Sequence, residues 1–288
     1  MAITIRAIVG SLFLLFLSLQ SALAATAATT LTWYGHAAFK IVTPKGKVLM
    51  IDPWLKNPMN PNATDGKDPL ADIKQVDYIL ITHGHFDHVG DAVPLAKKTW
   101  ARLVTNFELG SNMAKLLGYP KEQMGYDTLM NIGGEITIAD GEVMVAMTPA
   151  IHSSGLGNPY AGDTGPDFIY GGSPAGFVIS IKDGPTFYDT GDTAYFSDMK
   201  LIGENYAPDV ALINIGGHFG MEPAMAAKAA VAVQAKTVIP MHYGTFPVLT
   251  QNPKSFIEAL KNNKNLHVHV MEPGSSLTFE GKTLKTKN

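Results

Sequence analysis

The sequence predicts a single layered α/β domain. Three observations carry this. Short β-like runs alternate with loops and helix-like segments from Leu31 to Phe279, neither a sharp break in composition nor a repeat interrupts them, and a hydrophobic content of 46% supplies a packed core. Leu31 to Tyr34 and Ala38 to Val42 read as strands. The turn Pro44-Lys45-Gly46-Lys47 leads to a third strand, Val48 to Ile51, which stops at Asp52-Pro53. Residues 56–69, rich in Asn, Pro, Asp and Gly, read as a long surface loop. The apolar run Tyr78 to Ile81 is a buried strand. Helices follow at Asp91 to Lys98 and Phe107 to Leu117, with a strand at Arg102 to Thr105 between them.

A hairpin is expected around Asp140-Gly141, from Glu135 to Ala139 and from Val143 to Met147. Residues 153–174 form a second Gly/Pro-rich loop. Strands are expected at Phe177 to Ile181, Thr186 to Tyr188, Val210 to Ile215 and Thr237 to Ile239. Glu222-Pro223 opens an Ala-rich helix reaching about Ala235, since proline suits the first turn and alanine costs little side-chain entropy. Pro253 to Asn262 is a further helix, and Leu266 to Met271 and Ser276 to Phe279 are the closing strands.

Composition narrows the function. Net charge is −3 and charged residues are 16%, so no basic field exists to attract nucleic acid. There is no cysteine, which excludes disulfides and leaves only nitrogen and oxygen donors for a metal. At the N-terminus, Arg6 precedes an apolar stretch from Ala7 to Leu19, and Ala22-Leu23-Ala24 forms an A-x-A cleavage site. The expectation is a secretory signal peptide over 1–24, a small-residue linker over 25–30, and a domain over 31–288 that works in the periplasm or outside the cell. The apolar stretch is shorter than the roughly 20 residues a membrane span requires, and no later segment qualifies.

The richest stretch is Thr82-His83-Gly84-His85-Phe86-Asp87-His88, which gathers three imidazoles and a carboxylate at the end of a buried strand. Short side chains on such a loop can aim at one point, and neutral imidazole with carboxylate is a donor set for zinc, manganese or iron. His152, Asp192 and His242 each follow a strand as well, where sites in open α/β sheets collect. His36 and His218 are further candidates for contact with substrate or for proton donation. Met221 and Tyr243 read either as pocket lining or as core. Trp54 and the 56–69 loop are candidate caps over the pocket. Asp189 is expected to bond locally in its turn, and His267 and His269 to share a solvent face.

The ordered set His-x-His-x-Asp-His, then His, Asp and His, resembles the metallo-β-lactamase superfamily from Trp33 to Phe279. Tyr34-Gly35-His36-Ala37-Ala38-Phe39, Ile51-Asp52-Pro53-Trp54 and Ile239-Pro240-Met241-His242-Tyr243-Gly244 are similar to its branch of metal-dependent hydrolases related to ascorbate-6-phosphate lactonase. The resemblance implies a four-layer αββα sandwich with two divalent metal ions, zinc first and manganese or iron next. It places His83, His85 and His152 on one metal, Asp87, His88 and His242 on the other, and Asp192 between them, with Asp52 supporting the ligand loop. It further implies that a metal-bound hydroxide attacks an ester, lactone or phosphodiester of a small molecule, with Asp87 and Asp192 as catalytic residues and Asp87 open to either a ligand or a proton-accepting role. His218, read from its own place after Ile215-Gly216-Gly217 at a strand end, is the third candidate catalytic residue. A metal-binding protein without turnover and a diiron redox enzyme on the same fold are the alternatives. Against the redox branch stands His85, where that branch carries glutamate.

Overall fold

The computed structural model describes residues 28–64, 66–162 and 165–285. The apolar N-terminal stretch and its A-x-A site lie outside the described residues. The first sheet begins with β1 (Ala28–Trp33), β2 (Phe39–Val42), β3 (Val48–Ile51), β4 (Tyr78–Leu80), β5 (Arg102–Asn106) and β6 (Leu129–Met130). The second contains β7 (Glu135–Ile138), β8 (Val143–Pro149), β11 (Ala175–Ile181), β12 (Thr186–Asp189), β13 (Val210–Asn214), β14 (Thr237–Met241) and β15 (His267–Val268). Between β8 and β11 a two-stranded ribbon, β9 (Gly155–Gly157) and β10 (Phe168–Tyr170), interrupts the segment expected to be plain loop. The chain then returns to the first sheet as β16 (Ser276–Glu280) and β17 (Thr283–Lys285). Sheet orders are 17-16-1-2-3-4-5-6 and 15-14-13-12-11-8-7.

Burial shows how the sheets stack. Leu49, Ile51, Leu80 and Val104 of the first sheet face Val145, Phe177 and Ile179 of the second in one core. Their alternate neighbours Met50, Ile79 and Leu103 pack on the opposite face with Ala92, Leu95 and Leu109. Those last residues belong to α2 (Ala92–Thr99) and α3 (Phe107–Asn112), which follow the short α1 (Phe86–Val89). The far face of the second sheet is covered by α4 (Met199–Tyr206), α5 (Pro223–Val233) and α6 (Lys254–Leu260). The result is helix, sheet, sheet, helix. All four residues of β3 are buried because both its faces are covered, which is why it reads as a continuous apolar run.

Two sequence expectations are corrected, and one element is added. Residues 28–30 are not linker but the start of β1, where Ala28 pairs with Glu280 and Thr30 with both Thr278 and Val42. Pairing on both sides rescues a stretch whose small residues carry little strand signal. The helix expected at 107–117 is α-helical only to Asn112 and continues as a π-turn over Met113–Leu117. Helix α4 was not anticipated, since its Lys, Glu and Asn content hides a narrow apolar face of Met199 and Ile202.

The inner strands set the site. β3, β4 and β5 run parallel, as do β12, β13 and β14, so their C-terminal ends open onto common edges. Among the described residues no helix is long and apolar enough to cross a membrane.

Candidate metal centre

Every predicted ligand sits past a strand end, either in the loop that follows or, for Asp87 and His88, in the short helix α1. Thr82 to His88 extend β4, His152 follows β8, Asp192 follows β12 and His242 follows β14. The ends meet. Asp192 Oδ2 lies 3.0 Å from His242 Nε2, 3.4 Å from His88 Nε2, 3.7 Å from His152 Nε2 and 4.0 Å from His83 Nε2. Two donor groups flank this carboxylate. One is His83, His85 and His152, and the other is His88 and His242 with Asp87 and His36. The structure thus brings together all seven predicted ligands.

Turn geometry delivers these side chains. Asp52 and His242 both take left-handed backbone conformations, φ 40° and φ 60°, as does His36 at φ 53°. Such φ values are uncommon outside glycine and persist only when surroundings hold them. Here the His242 N–H donates to the His36 carbonyl at 3.0 Å, and the Asp52 N–H to Leu80 at 2.9 Å. Gly191, at φ 55°, sits against the Ala175 carbonyl, where a Cβ would come within 2.5 Å, and this lets the chain turn sharply into Asp192. The His152 loop is tied to the Asp192 loop by Thr193 Oγ1, which accepts from the Ile151 N–H at 2.9 Å.

Asp52 fixes two candidate ligands at once. Fully buried, its carboxylate accepts from the Thr82 N–H at 2.8 Å, from the Thr82 hydroxyl at 2.6 Å and from His88 Nδ1 at 2.7 Å. An ionised carboxylate only accepts, so the single Thr82 proton points to Asp52. The Thr82 oxygen must then accept from His83 Nδ1, 3.0 Å away. Both His83 and His88 therefore carry hydrogen on Nδ1 and turn Nε2 towards Asp192. His85 is placed the other way round. Ser153 Oγ contacts its Nε2 at 3.3 Å, leaving Nδ1 at 2.9 Å from His83 Nε2.

This donor set fits a metal. His88 Nε2 and both nitrogens of His242 are buried without a hydrogen-bond partner, although two of these atoms lie close to Asp192. Orphaned buried imidazole nitrogens are costly, and convergence on one point is what coordination would satisfy. Protonation agrees. Burial first, and then the charge on His88, holds His83 well below the usual imidazole range and His85 below it. Burial likewise lowers His152 and brings His36 down to about 4, so these rings are neutral at pH 7. His88 runs the opposite way: burial opposes its charge, but Asp192, Asp52 and Asp87 outweigh burial and raise it well above the ordinary value. Burial also works against the Asp87 and Asp192 charges, yet the surrounding histidines hold both carboxylates well below the usual range.

Several placements go beyond the sequence reading. His36 is fully buried. Its Nε2 bonds Asp87 Oδ2 at 3.0 Å, its Nδ1 meets Thr245 Oγ1 at 2.7 Å, and its ring lies on His242 at 3.8 Å. It positions ligands rather than meeting solvent. His218, read as catalytic, is exposed against Phe219 and stands outside the ligand cluster. Its strand end points the chain outward, and Phe219 takes the cavity wall instead. Met221 and Tyr243 are core residues. Trp54 backs the cavity wall by stacking on Phe246 at 5.5 Å, while Asn57 of the 56–69 loop braces the Tyr34 and Trp54 carbonyls, so this region is a buttress and not a cap. Asp189 does bond locally, accepting from the Gly191 N–H at 2.9 Å.

Asn214 escaped the sequence reading. Its Oδ1 accepts from the Gly216 N–H at 2.9 Å, and its amide donates to Asp192 Oδ1 at 2.6 Å, leaving Oδ2 to face the histidines. A polar residue ending an otherwise apolar buried strand was the available signal. The centre floors a cavity of about 570 Å³ that reaches His85, Asp87, His152, Asp192 and His242.

Known proteins share this arrangement of chain. Residues 47–243 match the family model of the beta-lactamase superfamily domain. A UPF0173 metal-dependent hydrolase of Thermodesulfovibrio yellowstonii is 49% identical over 253 residues, covering 88% of this chain and 92% of that protein. Another, from Anaeromyxobacter dehalogenans, is 52% identical over 258 residues and covers 89% of each. A solved metallo hydrolase from the archaeon Ignicoccus hospitalis superposes with a TM-score of 0.73 at 35% identity, covering 88% of this chain and 99% of that one.

Proposed function

The chain belongs to the UPF0173 metal-dependent hydrolases of the beta-lactamase superfamily, and on that premise we propose that it is an exported hydrolase with a dinuclear centre, zinc by preference, acting on an ester, lactone or phosphodiester. The observation that carries the reading is Asp192 Oδ2 standing within 3.0–4.0 Å of four imidazole nitrogens at the floor of an open cavity. His83, His85 and His152 would hold one ion, and Asp87, His88 and His242 the other, with Asp192 shared. A shared carboxylate between two donor groups supports two ions over one, because it offsets their repulsion. When bound, the ions supply Lewis acidity towards the scissile oxygen and acidify water near neutral pH.

The chain's own residues do the rest. Asp52 and Thr82 lock the Nδ1 protons of His83 and His88. Asn214 holds the Asp192 carboxylate in place. Asp87, steadied by His36, is held ionised with a strongly lowered pKa. A general base works best with a pKa near the operating pH, so Asp87 serves as ligand and orienting acceptor for water rather than as a strong base. Export rests on the N-terminal apolar stretch and its A-x-A site.

The test compares residues 25–288, reconstituted with zinc or manganese, on a generic phosphodiester and a generic lactone, with metal counted by elemental analysis. About two ions per chain are expected, with Asp192→Ala and His83→Ala losing both turnover and metal. Full activity in both variants would overturn the assignment, and a stoichiometry of one would overturn the dinuclear part. Fractionation of cells expressing the full chain tests export.

A further inference from the structure

Above the ligands the cavity is hydrocarbon. Phe86, Phe168, Phe219, Phe246, Val248 and Leu249 make up most of its wall, and among the described residues Ser153 is the only lining side chain with a polar group beyond the candidate ligands themselves. Among the described residues no Lys or Arg lines it, and its two charged side chains are Asp87 and Asp192. The apolar groups come from separate elements: α1, ribbon strand β10, the loop after β13 and the loop after β14. Phe86, Phe168, Phe219 and Val248 are 57–67% exposed around one opening. Water-exposed apolar surface gathered at a concave mouth marks a binding site more often than a packing accident. The wall is also stiff on one side, because Trp54 packs against Phe86 at 5.7 Å and Phe246 at 5.5 Å.

Recognition of a phosphate or carboxylate tail calls for guanidinium or ammonium donors placed away from the reacting atoms. These walls provide none. The charge at the floor would be engaged with the scissile group, and the carboxylates there oppose a second anion.

Taking the site as hydrolytic, we propose that its substrate is an uncharged carboxylic ester or lactone carrying an apolar acyl or aryl group. That group packs between Phe168, Phe219 and Val248, and Phe168 and Phe219 determine specificity. On this proposal a phosphorylated lactone is not the substrate, because among the described residues no Lys or Arg lines the cavity to meet its phosphate.

The test measures binding of n-alkyl hydroxamates, from acetyl to octanoyl, to the metal-loaded protein by calorimetry. Kd is expected to fall about fourfold for each added methylene that reaches the wall, the equivalent of ~0.8 kcal/mol per buried CH₂. Phe168→Ala and Phe219→Ala flatten this dependence while acetohydroxamate binding and metal content stay at wild-type levels. Affinity independent of chain length, or tighter binding of a phosphonate-tailed analogue than of a neutral one of equal length, would refute the assignment. Turnover of the matching acyl esters is read separately. A rising binding series without ester or lactone turnover removes the carboxylic ester assignment alone, and the hydrolytic reading itself falls only if the phosphodiester assay is negative as well. Ester turnover with a flat series removes the apolar specificity alone.

Discussion

Replacing Asp52 by Asn exchanges one oxygen for an NH₂ group and should disable both donor groups of the proposed metal centre. In the native arrangement Oδ1 accepts from the Thr82 N–H, and Oδ2 accepts from the Thr82 hydroxyl and from His88 Nδ1. Keeping the Thr82 N–H satisfied places the new NH₂ where Oδ2 was. It then donates to the Thr82 oxygen and to His88 Nδ1. The Thr82 proton turns to His83 Nδ1, 3.0 Å away, so the His83 hydrogen moves to Nε2, while His88, now accepting at Nδ1, loses that proton and keeps hydrogen only on Nε2, the atom facing Asp192. Losing one supporting partner of a ligating histidine costs about 10–100-fold in metal affinity. Two ligands are affected together, and contacting residues do not add independently, so a loss of at least about 100-fold, ~2.7 kcal/mol, is expected. Competition with a chromophoric chelator measures it, and nitrogen NMR of the metal-free protein reads the tautomers. Asp52→Asn with metal affinity within twofold of wild type, or with His83 and His88 still carrying hydrogen on Nδ1, would refute the reasoning. Asp52→Ala differs in kind, since it strands the buried Thr82 N–H and the His88 Nδ1 proton, and should cost about 3–5 kcal/mol of folding stability in urea.

Three further outcomes are expected. Asn214→Ala frees Asp192 Oδ1 from its 2.6 Å bond and should weaken metal binding about 10–100-fold with folding largely kept; chelator competition beside thermal unfolding checks both. Gly191→Ala drives a Cβ to within 2.5 Å of the Ala175 carbonyl at φ 55° and should lower stability by about 2–4 kcal/mol, read as a drop in Tm. Metal binding at pH 7 should release about one proton per chain: His88 has a raised pKa and is protonated in the metal-free site, whereas His83, His85 and His152 have lowered pKa values and are already neutral. The affinity of the His88 set therefore rises with pH and levels off only above the His88 pKa, and calorimetry in buffers of different ionisation enthalpy counts the proton.

The sequence by itself determined the layered α/β class and named the seven candidate ligands that the structure brings together. Val48 to Ile51 and Tyr78 to Ile81 read as buried strands because both sheet faces are covered, and His83, His85, Asp87 and His88 stood out because a strand end and one short helical turn place them within a few residues of each other. Local spacing is enough where chemistry and chain are contiguous. The tertiary structure alone decided what surrounds those ligands. His36 and Thr245 are 209 residues apart, Asp52 and His88 are 36 apart, and Asn214 meets Asp192 across neighbouring parallel strands. Which polar residue supports a ligand, why His218 turns to solvent while Phe219 faces the cavity, and how the β9–β10 ribbon brings Phe168 over the centre all depend on how two sheets stack and where their strand ends meet. Periodicity reports which face of an element is buried, but it carries no record of which distant element lies against that face.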